Sequence, residues 1–155
     1  RHPVLSNLGP DILDPELSPE HIAERLMLPR FRGRSLAALY LDQHFLAGLG
    51  NYLRTEILFT ARLAPGLRPR DLSSSECMTL ASETLVLARR SYATAGITLA
   101  DEYRKAGRRR TSSTRGRQRF WLFGREGQPC YICAELIERE TRGSRRLYRC
   151  PACQK

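Results

Sequence analysis

Four cysteines confine the last quarter of this chain more tightly than any other feature of its sequence. They form two C-x2-C pairs, "CYIC" at 130–133 and "CPAC" at 150–153, with 16 residues between them. A C-x2-C turn puts two sulfurs on one side of a knuckle, and two knuckles on facing hairpins complete a tetrahedron. The spacing falls within that of zinc ribbons. Cys130, Cys133, Cys150 and Cys153 are therefore the expected ligands of one structural Zn2+. Two disulfides would need an oxidising compartment, and the N-terminus carries no charged-then-apolar export pattern. A redox dithiol would need a βαβ setting that the flanking residues do not offer. Residues 120–155 are too few to bury an adequate core unaided. Metal binding, on the order of 10 kcal/mol in zinc-finger peptides, supplies the missing stability.

Between the knuckles, Leu136 to Glu140 reads as one strand, "TRGS" as a turn and Arg145 to Arg149 as the returning strand. Upstream, "FWLF" (120–123) reads as a short strand and "GREG" as the turn after it. Arg145 leaves the hairpin tip, where a metal-clamped scaffold can aim it. A plain solvated arginine fits the same position.

The first part of the chain follows a helical period. Ser18 reads as an N-cap with Pro19 at the first helical position, followed by Ile22, Ala23, Leu26 and Met27 on one face until Pro29. A second helix is expected from Ser35 through Asp42 and Gln43 to about Leu46. A third carries Leu53, Ile57, Leu58 and Ala61 before Pro65 and Gly66. A fourth spans 74–90, capped within Ser73–Ser75, with Cys77, Ala81, Leu85 and Ala88 as its buried stripe. The fifth cysteine, Cys77, thus reads as a small core residue. The fold class is mainly α: a four-helix domain (1–94), a basic flexible linker or loop (95–119) and a small β-hairpin zinc ribbon (120–155).

Charge divides the chain in the same way. Residues 1–100 hold 11 basic and 10 acidic side chains, whereas residues 101–155 hold 15 and 6. That asymmetry points to a polyanionic partner engaged mainly by the C-terminal third. Of the 26 basic residues 24 are arginine, which suits bidentate phosphate contacts, although genomic base composition gives the same bias. The stretch "RKAGRRRTSSTRGRQR" (104–119) is too polar to order itself. No run approaches the roughly 18 consecutive apolar residues of a membrane span, so no membrane partner is expected.

The stretch "FLAGLGNYLRTEIL" (45–58) interrupts a helical pattern with two glycines and an asparagine. Asn51 suits the N-cap of the third helix, and Gly48 and Gly50 clear side chains from the approach to it. Free amides and the helix dipole would make an anion site there. A tight helix–helix connection, with glycines serving only packing, explains the spacing equally well.

With these residues in view, "LDQHFLAGLGNYLRTEILF" and "GREGQPCYIC…SRRLYRCPACQK" resemble the formamidopyrimidine-DNA glycosylase/endonuclease VIII family of base-excision repair enzymes. The resemblance covers nearly the whole chain and has two motifs in the family order, the helix–two-turn–helix and the C-terminal zinc finger. "GPDILDPELSPE" and "RLMLPRFRGR" are closest to the endonuclease VIII branch, and "AGITLADEY" (95–103) to the formamidopyrimidine branch.

What the resemblance implies follows residue by residue. Asn51, behind Gly48 and Gly50, matches the asparagine that holds a DNA phosphate near the lesion. Arg145 matches the zinc-finger arginine that contacts phosphate and is assigned a proton-donor role in δ-elimination. The four cysteines match the zinc ligands. Asn7 stands where the endonuclease VIII pattern has an arginine, so one phosphate contact is expected to be weakened or supplied by a neighbour. The family's chemistry uses an N-terminal proline amine whose iminium adduct acts as an electron sink. This chain begins Arg1-His2-Pro3. The expectation is the DNA-binding C-terminal part of a bifunctional DNA glycosylase/AP lyase, inactive alone. It would be a monomer bound to damaged duplex DNA in the bacterial cytoplasm. The alternative is a non-catalytic, stand-alone DNA-binding module.

Overall fold

Three serines set where the helices begin. Ser18, Ser35 and Ser73 each accept a hydrogen bond from the backbone N–H three residues on, which satisfies an otherwise orphaned donor of the first turn. They open α1 (Pro19–Leu26), α2 (Leu36–Leu39) and α4 (Ser74–Ala93). At Ser73 the bond is reciprocal, since Glu76 reaches back to the Ser73 amide. Between α2 and α4 lie α3 (Asn51–Thr60) and a 3-10 turn (Pro69–Asp71). The computed structural model describes residues 8–104, 118–142 and 144–155. Asn7 and most of the basic stretch 104–119 lie outside the described residues.

The expected second helix stops early. After Leu39 the amides of Leu41, Asp42 and Phe45 bond to carbonyls three residues back, a turn tighter than an α-helix. The leading loop takes up groups that a longer helix would have used. Gly9 donates to the Gln43 carbonyl, and Ala47 donates to Pro10. Gly9 has to be glycine for this approach, because a Cβ there would sit 2.4 Å from the Phe45 carbonyl oxygen. Gly9→Ala is expected to cost about 1–3 kcal/mol in urea unfolding, the usual range for overpacking. Met27 also departs from expectation: it caps α1 and is exposed, since α1 ends at Leu26.

Two clusters of buried side chains follow. The larger joins α1, α2, the inner face of α3 and the stripe of α4, including Ile22, Leu36, Ile57, Cys77, Ala81, Leu85 and Ala88. Inside it the hydroxyls of Tyr40 and Thr84 lie 2.8 Å apart, so neither polar group is buried without a partner. The smaller cluster gathers Phe59 of α3 with Leu99, Trp121, Leu122, Ile137, Tyr148, Cys130 and Cys150. Both described ends of the 95–119 segment are anchored, because the Thr98 and Leu99 amides donate to the Arg119 carbonyl.

The hairpin is antiparallel, β1 (Glu138–Arg142) with β2 (Arg145–Arg149), in a register that pairs Arg142 with Arg145 at the tip. Its first strand starts two residues later than Leu136, which instead bridges to Pro129. "FWLF" is no strand. The amides of Trp121, Leu122 and Phe123 all turn onto the Glu56 carboxylate, at 2.5, 2.9 and 3.1 Å, which is incompatible with a ladder.

Candidate nucleic-acid interface and metal centre

The four sulfurs predicted to share a cation do meet. The Sγ atoms of Cys130, Cys133, Cys150 and Cys153 all lie within 4.8 Å of one another. Cys130 and Cys153 are 3.9 Å apart, and Cys133 and Cys150 are 3.4 Å apart. Sulfurs at the corners of a tetrahedron about 2.3 Å from zinc are separated by roughly 3.8 Å, whereas disulfide sulfurs are about 2.05 Å apart. The amides of Ile132 and Cys153 donate to the Cys130 and Cys150 sulfurs, which turns each knuckle inward. Burial, reinforced by the neighbouring sulfurs, pushes the Cys153 thiol up. Four sulfurs this close, and too far apart for disulfides, are spaced as ligands of one cation. The arrangement fits the four-cysteine zinc finger that the spacing predicts.

The glycine turn precedes α3. Gly48 sits at φ +97, a conformation that side chains rarely adopt, and a Cβ on it would press Ile12 at 3.1 Å. The Gln43 side chain braces the turn from both ends, accepting from the Gly48 amide at 2.8 Å and donating to the Leu49 carbonyl at 3.2 Å. Gly50 rather than Asn51 is the N-cap, and it offers no side-chain bond to the first-turn amides. A Cβ on Gly50 would meet nothing within 4 Å. Both glycines are exposed, so the positive end of the helix dipole faces open space.

Asn51 is turned elsewhere. Its Nδ2 donates to the Arg146 carbonyl at 2.9 Å, and its Oδ1 accepts from Arg54 at 2.8 Å. The residue read as a cap thus ties α3 to the hairpin, 95 residues away. Arg145, its neighbour on β2, is exposed. Among the described residues no carboxylate lies within ion-pair distance of it. Asn7 lies outside the described residues.

Two residues that periodicity hides complete the site. Arg54 is 1% exposed and donates only to neutral acceptors, the Ala37 and Arg146 carbonyls and Asn51 Oδ1. Its Nε has no partner. Burial lowers its pKa to about 10, with Arg142 and Arg145 adding to the effect. Two residues on, Glu56 is fully buried. Its Oε1 also accepts the Thr98 hydroxyl at 2.5 Å, so four donors converge on one carboxylate. Burial pushes the Glu56 carboxyl up, and these donors pull it back. The sequence offers little signal for them, because Arg54, Thr55 and Glu56 read as the polar side of the helix although all seven residues of "LRTEILF" are buried.

A helix N-terminus without a side-chain cap lies bound to a hairpin whose guanidiniums outnumber its acids. That surface suits a regularly spaced polyanion. The family model described as the formamidopyrimidine-DNA glycosylase H2TH domain matches residues 8–102, and the chain belongs to that family. It is similar to Endonuclease 8 of Shigella sonnei (strain Ss046), 47% identical over 153 residues, covering 99% of this chain and 54% of that protein. Endonuclease 8 of Escherichia coli O17:K52:H18 (strain UMN026 / ExPEC) is similar to the same extent, at 47% over 153 residues with 99% and 54% covered. The chain spans about half the length of the curated relatives it matches. Among solved structures, the MutM (Fpg) protein from Thermus thermophilus is similar at a TM-score of 0.75 and 29% identity, with 98% of this chain and 55% of that one covered. The Lactococcus lactis Fpg complexed with DNA containing an abasic site shares the fold, at a TM-score of 0.74 and 19% identity, with 98% and 53% covered.

Proposed function

We propose that this chain is the DNA-binding part of a bifunctional DNA glycosylase/AP lyase that removes oxidised bases from duplex DNA and nicks the abasic site. The observation that carries the reading is the Asn51–Arg146 bond, which joins the two motifs of the family into one continuous surface. In this reading the amides behind Gly48 and Gly50 receive one phosphate, beside Asn51 at the head of α3. Arg145 takes a phosphate from the hairpin side and acts as proton donor when the strand is cut. The helical part (1–94) and the four-cysteine part (120–155) grip together, with 95–119 between them.

Zinc is the proposed cation, because four soft thiolates in a closed set select it. It supplies no chemistry here, only a clamp. Cys130, Cys133, Cys150 and Cys153 hold it, and through it the hairpin keeps its place against α3. The resemblance assigns base excision to an N-terminal proline amine. The chain is expected to bind DNA as a monomer in the bacterial cytoplasm. No helix among the described residues is long and apolar enough to cross a membrane.

Binding of a labelled duplex with an abasic-site analogue, followed by fluorescence anisotropy, tests the grip. Arg145→Ala and Asn51→Ala are each expected to weaken it by about 1–3 kcal/mol, the range of charge-assisted contacts, with steep salt dependence. Unchanged affinity in both variants would remove the assignment. For the whole protein, excision assays on a panel of lesion duplexes identify the base removed.

A further inference from the structure

The hairpin tip carries a cation that no motif explains. Arg142 is the last residue of β1 and stands directly opposite Arg145. Residues so paired share one face of the ribbon, and like charges in that position are destabilising. The face is the one that carries Leu147, which is fully buried and pairs with Glu140. Two of the hairpin's other arginines have acids of their own: Arg139 pairs with Glu126 at 3.0 Å, and Arg149 with Glu138 at 3.3 Å. At the tip Glu140 is the one acid, 2.6 Å from Arg142 Nε. It also bears on the buried Arg54, which in addition feels the like charges of Arg142 and Arg145. The Nη2 of Arg142 passes near Gly66, 3.8 Å from where a Cβ there would stand.

Three guanidiniums set against one carboxylate, one of them buried with neutral acceptors alone, form a site that lacks its counter-charge. Arg54 cannot leave to be solvated, because it carries the contacts among α3, Ala37 and the hairpin. Relief has to come from an anion at the tip. We propose that Arg142 is a second guanidinium of the DNA grip, binding a backbone phosphate alongside Arg145 over the buried charge of Arg54. Glu140 fixes the Arg142 head through Nε and leaves its two Nη groups free to fork onto phosphate oxygens. The inference rests on the reading of Arg145 as a phosphate contact, and Arg142 extends that contact into a pair.

The test is the salt dependence of binding by the zinc-loaded chain to the abasic-analogue duplex. Arg142→Ala is expected to lower affinity about 10-fold and to reduce the slope of log K against log salt by about 0.9, the signature of one lost phosphate contact. Arg142→Lys should keep the slope, because it keeps the charge. Arg142→Gln, which can still bond Glu140, should lose it. Zinc content and the thermal transition, measured on each variant, separate a lost contact from a loosened hairpin. If Arg145→Ala weakens binding while Arg142→Gln leaves affinity and slope unchanged, Arg142 is not in the grip and this inference falls alone. If Arg145→Ala also changes nothing, the reading beneath it falls.

Discussion

Cys150→Ser is expected to abolish zinc binding, melt the smaller core and reduce DNA affinity at least about 100-fold. Structural zinc contributes on the order of 10 kcal/mol in zinc-finger peptides, enough to decide whether so small a cluster holds together. Cys150 and Cys130 are themselves buried members of it, so losing the metal removes both a clamp and part of the core. The consequences cross to the helical part. Tyr148 donates to Thr55, and Gln154 bonds the Leu63 carbonyl, so α3 loses its outer cover when the hairpin leaves. Asn51 would keep its place on the helix but lose the carbonyl that orients it. Helical circular dichroism is expected to persist, since α1, α2 and α4 close on the larger core. Zinc measured by elemental analysis, with anisotropy on the same sample, checks this. Wild-type DNA affinity in a zinc-free protein would sink it.

Glu56→Gln is expected to destabilise the chain by about 2–6 kcal/mol, since two buried donors lose their acceptor at about 1–3 kcal/mol each. The carboxylate gives four donors an acceptor. A glutamine has one oxygen, and its NH2 would point donor against donor at two of them. At 155 residues a loss of that size lowers the melting temperature by roughly 10 °C. The exposed Glu20→Gln, a control on α1, should stay within about 0.5 kcal/mol. Equal stability of the two variants in urea would show that the 121–123 amides find other acceptors. DNA affinity of Glu56→Gln should fall as well, because 121–123 carries the smaller core on which the hairpin stands.

The parts of the fold that were legible are those decided within a few residues. Ser18, Ser35 and Ser73 cap helices because a hydroxyl reaches an amide three positions on. The stripe of Cys77, Ala81, Leu85 and Ala88 is buried because steps of three and four residues keep to one helical face. The end of α2 and the conformation of "FWLF" depended on partners far away, the leading loop in one case and Glu56 in the other. Asn51 shows the same limit from the other side. Its type suits a cap, yet a carbonyl 95 residues on holds its side chain, and a glycine does the capping.

By itself, the sequence determined the four-cysteine cluster, the order of helices and hairpin, and the family, because spacing and local hydrogen bonding fix each of these. The tertiary structure alone decided which charges work together. Arg54 reads as a solvent residue until α3 is covered on every side, and Arg142 reads as one arginine among 24 until register sets it against Arg145. Burial removes the water that would screen such charges, so their effect arises only from what folding brings next to them.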